Sequence, residues 1–188
     1  MSNLFRDMQV GGYKLENFEI TPQNQGWRNP IPCGKYVRIT LGWDVVMSNT
    51  PMEMRTNAAF VRNAHGDVLV AGLGLGMILL AIQDKPEVRG ITVIEYSPEI
   101  MQMVLPQLPL NNKVRVIQGN IFEWVPPRST KYDVIYFDIW NYINSDVYEE
   151  MKALKQKFKS RLRSKEENPN RFMSCWAEYE ARHNRRLY

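Results

Sequence analysis

Asp67-Val-Leu-Val-Ala-Gly-Leu-Gly-Leu-Gly-Met77 decides the reading of this chain. Val68 to Ala71 are all apolar, and they run directly into Gly72, Gly74 and Gly76. An unbroken apolar run predicts a strand buried on both faces, as in a parallel sheet. Glycines placed directly after such a strand let the backbone turn sharply and approach a ligand where a Cβ would collide. Met77 to Ile82 then reads as a helix whose free N–H groups and positive dipole end face whatever lies over the glycines.

The same design repeats downstream. Ile91 to Ile94 ends in Glu95, Val114 to Ile117 ends in Gln118-Gly119-Asn120, and Tyr132 to Phe137 ends in Asp138. Each apolar run therefore carries a polar group at its C-terminal end, where open α/β sheets bind ligands. A carboxylate such as Glu95, at the end of the second strand of a dinucleotide-type unit, is placed to hold ribose hydroxyls.

Taken together, GLGLG, VIEYSPE, VIQGNIFEW and YDVIYFDIW resemble the class I S-adenosylmethionine (SAM)-dependent methyltransferases, closest to the spermidine-synthase-like branch, over residues 47 to 140. The resemblance implies an α/β, Rossmann-like, doubly wound and mainly parallel sheet. Its strand order would be 3-2-1-4-5, counting the glycine-loop strand as 1. Gly72, Leu73, Gly74 and Gly76 would line the methionine part of the cofactor, and Glu95 would hold both ribose hydroxyls. Tyr96, Asn120 and Ile121 would flank the adenine. Asp138 would face the reaction centre, as cofactor contact and as the best candidate for a base. The implied cofactor is SAM, with S-adenosylhomocysteine (SAH) as product. A full class I sheet has seven strands, and the closing hairpin has no counterpart here. The sheet is therefore expected to be C-terminally truncated, its edge covered by the N-terminal element or by a second subunit in a homodimer.

Departures from the branch rank the activities. Spermidine synthases carry an Asp in the glycine loop where Leu75 stands, and a second fourth-strand Asp where Asn141 stands. Aminopropyl transfer uses carboxylates to bind an amine and take its proton. Methyl transfer onto a small-molecule acceptor is therefore ranked first. Aminopropyl transfer and non-catalytic SAM binding are the alternatives.

The remainder of the chain supports one compact unit. Residues 1–47 are read as an N-terminal β-element and loop, with a hairpin from 35–40 and 43–47, and residues 48–188 as the SAM-binding domain. Ser48 to Glu53 opens a helix to about Ala64, with Thr50 as N-cap, Pro51 in the first turn and Thr50/Glu53 at capping-box spacing. Met54, Ala58 and Val61 are expected to face inward. By the resemblance, the segment before the first strand lies over the cofactor's amino-acid end, which makes Thr50, Glu53 and Thr56 candidate pocket residues. Trp140, Asn141 and Tyr142, in the loop after Asp138, are candidate acceptor contacts. Ser97-Pro98-Glu99 starts another helix, and Phe122 and Trp124 are assigned to the core. Ser145 to Arg163 reads as a helix with Val147, Met151, Leu154, Phe158 and Leu162 on one stripe. Phe172 to Trp176 reads as the fifth strand and residues 177–186 as a last short helix.

With 188 residues, 44% hydrophobic and 23% charged, the composition is that of a soluble globular domain. No apolar run approaches a membrane span, and the N-terminus does not read as a signal peptide. Two cysteines and two histidines make neither a disulfide framework nor a zinc site. A cytoplasmic location with reduced thiols is expected. Net charge is +4, but residues 151–188 carry 11 Lys and Arg against 4 Glu. That basic segment is read as a solvated helix face rather than a nucleic-acid site, because Phe158 and Trp176 fall on apolar faces instead of interleaving with the charges.

Overall fold

The computed structural model describes residues 4–26, 31–183 and 185. The expected loop positions 27–30 and residues 184 and 186 of the expected last helix lie outside the described residues.

Two sheets organise the chain. The first is antiparallel and is formed in order by β1 (Met8–Val10), β2 (Tyr13–Ile20), β3 (Gly34–Leu41) and β4 (Asp44–Ser48). The second is a parallel sheet made from β5 (Gly66–Ala71), β6 (Val88–Glu95), β7 (Val114–Gln118), β8 (Val134–Phe137) and β9 (Phe172–Cys175). Its strands lie in the order β7-β6-β5-β8-β9. Among the described residues, five α-helices complete the fold: α1 (Pro51–Asn63), α2 (Met77–Ile82), α3 (Pro98–Val104), α4 (Ser145–Phe158) and α5 (Glu178–Arg182).

Strand alternation divides the core into two layers. On one face of the parallel sheet, Val68, Val70, Val134 and Tyr136 pack against Phe60 of α1, Leu79 of α2, Met103 of α3 and Leu15, Val37 and Ile39 of the antiparallel sheet. On the other face, Leu69, Ala71, Ile135 and Phe137 pack against Val147, Met151, Leu154 and Phe158 of α4 and Ala181 of α5. β5 is paired on both edges and covered on both faces, so its apolar run has no polar alternation.

Several expectations change in three dimensions. The N-terminal element is a four-stranded sheet rather than a hairpin, because β2 pairs with β3 along its whole length and β1 pairs in turn with β2. α1 presents Glu53, Asn57 and Phe60 inward, while Met54 is 56% exposed. The polar face wins because Asn57 Oδ1 accepts a 2.9 Å bond from the Tyr136 hydroxyl while Phe60 stacks on the Tyr136 ring. Thr50 occupies the N-cap position of α1, but its side chain makes no capping bond; its hydroxyl pairs instead with Ser48 Oγ at 2.9 Å. α4 stops at Phe158, and a 3-10 turn, Lys159–Arg161, replaces its predicted last turn. Phe122 is 44% exposed rather than core, and only Trp124 of that pair packs inward, against Phe158.

The basic C-terminal segment is largely engaged within the fold. Lys155 pairs with Glu178, Lys157 donates to the Ile121 and Phe122 carbonyls, and Arg161 donates to those of Pro127 and Arg128. Arg163 joins a hub at the N-terminal edge of the parallel sheet. There Asp133 Oδ2 accepts from the Asp67 N–H at 2.8 Å and from Arg89 at 2.6 Å. Asp133 Oδ1 accepts from Asn168 at 2.8 Å and pairs with Arg163 at 3.1 Å. Burial alone would raise the Asp133 pKa, but these donors and both guanidinium groups more than offset it and hold the carboxyl below its ordinary value.

Asp133→Ala therefore leaves the Asp67 N–H without its acceptor and Arg89 and Arg163 with Asp67 alone, at the base of two central strands. The expected loss is about 1–3 kcal/mol. Because the folded pKa is depressed, the stabilisation is present above the unfolded value and disappears as pH falls. Urea melts of both proteins should show a gap that is wide at neutral pH and narrows in acid. A gap independent of pH would assign the loss to packing alone.

Candidate active site

The C-terminal edge of the parallel sheet opens into a cleft of about 990 Å³. This is at the upper end of the range for small-ligand pockets, roughly 300–1,000 Å³. Its floor is Gly72, Gly74, Glu95 and Asp138, from the ends of β5, β6 and β8. One wall is the antiparallel sheet with the start of α1, contributing Tyr13, Met47, Ser48 and Glu53. The opposite wall is the loop after β8, with Ile139, Trp140, Asn141 and Tyr142, while Trp176, after β9, lines the cleft beside Glu53.

The glycine loop is shaped by close approaches. Gly72 has φ +97°, and a Cβ there would meet the carbonyl oxygen of Asp138. Gly74 has φ +50°, and a Cβ there would meet Met47 Sδ. That sulfur lies 3.1 Å from the Leu75 amide N–H, which points at it. Met47 reaches this position because the β3–β4 ladder slips between Ile39 and Thr40, inserting Val46 as an extra residue. A bulge of this kind bends the strand and re-aims the next side chain.

Glu95 is 6% exposed. One carboxylate oxygen accepts from the Leu73 N–H and the other from the Ser97 N–H, both at 2.7 Å. Burial raises its pKa, and the Ser97, Leu73 and Tyr96 amides oppose that rise. Each oxygen keeps a second lone pair, so the carboxylate can brace the glycine loop and still accept from two hydroxyls on the cleft side. Ser97 continues this order into α3: its Oγ accepts from the Ile100 N–H and caps the helix.

Two other carboxyls share the cleft. Glu53 is 8% exposed. Burial pushes it up to about 7, against the Ser48 amide and the Trp176 indole, which favour its charged form. Asp138 retains some exposed surface, yet the protein packs densely around its carboxyl. Burial and the neighbouring Glu53 push it up to about 8. Asp138 directly follows the last residue of β8, and Glu53 of α1 stands beside it.

The cleft gathers Gly72, Gly74, Glu95, Tyr96, Asp138, Glu53, Trp140, Asn141 and Tyr142. Other candidates lie elsewhere. Leu73 is buried beneath the loop and Gly76 packs on Leu108, so both shape the loop from behind. Asn120 closes its own turn by accepting from the Phe122 N–H at 3.0 Å, and Ile121 is 4% exposed in the lower core layer. Thr50 is turned to Ser48. Trp140 spends its indole N–H on Glu150 at 2.9 Å, which fixes the loop after β8. Sequence reasoning missed Tyr13, Met47, Ser48 and Trp176. Trp176 follows directly after a parallel strand, and the strand-end rule that found Asp138 applies equally to it. The other three come from the antiparallel sheet and its exit, where nothing local marks a pocket residue.

No protein-family model matches this chain, and no curated protein matches it. Among solved structures, it is similar to the CcbJ methyltransferase of Streptomyces caelestis, with 19% identity over 60% of this chain and a TM-score of 0.47. It is also similar to the N-methyltransferase NodS of Bradyrhizobium japonicum WM9, solved with SAH, with 15% identity over 60% of this chain and a TM-score of 0.45. An amino pentose methyltransferase from Micromonospora echinaspora, solved with SAM, shows 18% identity over 58% of this chain and a TM-score of 0.39. The chain spans 46%, 58% and 42% of those three proteins.

The elevated carboxyls make a signed prediction. A carboxyl whose folded pKa lies above its unfolded value holds more protons in the fold, so stability falls as pH rises between the two. Asp138→Asn removes this. The variant should match wild type near pH ~4 and become the more stable protein by pH ~9, by about 1–2 kcal/mol, a shift of several degrees in Tm. Thermal melts across that range test it, and parallel curves for the two proteins would show that Asp138 titrates normally.

Proposed function

We propose that this chain is a SAM-dependent methyltransferase acting on a small-molecule acceptor. The observation that carries the reading is Glu95. It is a buried carboxylate at the end of the strand beside the glycine loop, braced by the loop's own amide and open to the cleft. The floor also fits the group, since Gly72 and Gly74 line it and Cβ atoms there would collide with the Asp138 carbonyl and Met47 Sδ, so only glycine keeps the backbone this close to the cleft. When bound, SAM supplies a methyl group already activated on a sulfonium, so the protein's task is chiefly alignment. Gly72 and Gly74 would cradle the methionine part, Glu95 would accept from the ribose hydroxyls, and Tyr96 would flank the adenine. Asp138 would face the reacting atoms, where a carboxyl with a raised pKa is suited to take a proton near neutral pH. The internal engagement of the basic C-terminal segment favours a small acceptor over nucleic acid. No helix among the described residues is long and apolar enough to cross a membrane.

One observation favours a second reading, aminopropyl transfer in the manner of the spermidine-synthase-like branch. The second carboxylate that the sequence lacked near Asp138 is supplied in space by Glu53. Product analysis separates the two: SAH marks methyl transfer, and methylthioadenosine marks aminopropyl transfer.

Because Glu95 anchors the Leu73 amide, replacing it would loosen the loop as well as the ribose contact. The cleaner experiment changes the ligand. Calorimetry with wild-type protein should show SAH binding, and 2′-deoxy-SAH should bind more weakly by about 1.5–3 kcal/mol, roughly 10- to 100-fold. Equal affinities would remove Glu95 from the ribose site, and failure of SAH to bind would reject the cofactor altogether. Asp138→Asn should lower turnover by about 10²–10⁴-fold with little change in SAH affinity if Asp138 takes a proton in the reaction.

A further inference from the structure

We propose that the acceptor is an amine with an apolar or aromatic body: Glu53 and Asp138 receive its ammonium, and Trp140, Trp176 and β4 receive the body. The inference deepens the methyltransferase reading and rests on it.

The chain carries +4 overall, yet among the described residues the charged side chains lining its cleft are Glu53, Glu95, Asp138 and Arg185. The Arg185 guanidinium lies over the Tyr179 ring, 5.4 Å from its centre. Among the described residues, neither Glu53 nor Asp138 forms an ion pair. No group of three His, Cys, Asp or Glu among the described residues could hold a metal ion. Glu53 is nevertheless more than nine-tenths buried and faces into the cleft, close enough to Asp138 to raise its pKa. Burying two like charges without a counter-charge is costly, and a cation arriving between them offsets the cost.

Position assigns this cation to the acceptor rather than to the cofactor. Glu95 ends β6, which β5 and β8 separate from β9 and Trp176. Glu53 instead stands with the Ser48 amide and the Trp176 indole, on the wall formed by β4 and the segment after β9. Trp176 Nε1 donates to Thr56 Oγ1 at 3.0 Å, which ties that wall to α1 and fixes the indole. Val45 and Val46 of β4, together with Ile139 and Trp140, supply apolar surface around it. An ammonium entering here meets two carboxylates, and one of them can take a proton from it. The products are a neutral amine, with its lone pair free to attack, and a protonated carboxyl that returns the proton to solvent.

The test is calorimetry on the full chain saturated with SAH, using 2-phenylethylamine, 2-phenylethanol and 3-phenylpropionate as matched probes. The amine should bind about tenfold or more tightly than the alcohol, and the acid should not bind. In Glu53→Gln the preference for amine over alcohol should disappear while SAH affinity is retained. Equal binding of amine and alcohol to wild type would overturn the proposal without any variant. So would a Glu53→Gln protein that loses SAH affinity as much as amine affinity, because the pair would then hold the cofactor's own ammonium. The two readings fail separately. A wild type that binds SAH but not the amine refutes only the amine site. One that selects the amine but never binds SAH refutes the cofactor.

Discussion

β5 has no free edge and no free face. Its amides and carbonyls pair with β6 on one side and β8 on the other, and its side chains are covered above by α1, α2 and α3 and below by α4 and α5. Buried backbone polar groups must find partners, so the strand has to continue in register until both neighbours end. The first place where its chain can present unpaired backbone to a ligand is the turn after Ala71. That constraint puts the glycines where they are and brings the ends of β6 and β8, with Glu95 and Asp138, to the same point.

The loop that leaves β5 is held from two directions. Glu95 takes the Leu73 amide from the strand side, and the Met47 thioether meets the Leu75 amide from the antiparallel sheet. The N-terminal sheet is therefore part of the site's framework, and its bulge at Val46 is what aims the sulfur. A residue that both binds and braces cannot be removed to measure one role alone. For Glu95 this makes changes in the ligand more informative than changes in the side chain.

The two ends of the parallel sheet treat charge in opposite ways. At the N-terminal edge, Asp67 and Asp133 are matched by Arg89 and Arg163, and the Asp133 carboxyl is held low. At the C-terminal edge, Asp138 and its neighbour Glu53 have no cationic partner among the described residues, and both are pushed up. The first arrangement stabilises the fold. The second costs stability in the absence of ligand, and such a cost is expected where a site is reserved for a cation supplied from outside.

Local pattern determined much of this by itself. Unbroken apolar runs marked β5, β6, β7 and β8 because buried parallel strands need apolar side chains on both faces. The residue ending each run located Glu95 and Asp138, and Ser97-Pro98 marked a true helix start because capping is a short-range interaction. Tertiary structure decided the rest. It turned Glu53 and Asn57 of α1 inward, against the apolar stripe, because Tyr136 supplied a partner 79 residues away. Asn120 stayed in its own turn, and Met47 met the glycine loop, for reasons no window around either residue contains. The cleft's acceptor wall joins β4, α1 and Trp176 across more than a hundred residues of chain. Contacts at that separation arise from how the two sheets pack, and hydrophobic periodicity reports only which face of each element is buried, not what it will be buried against.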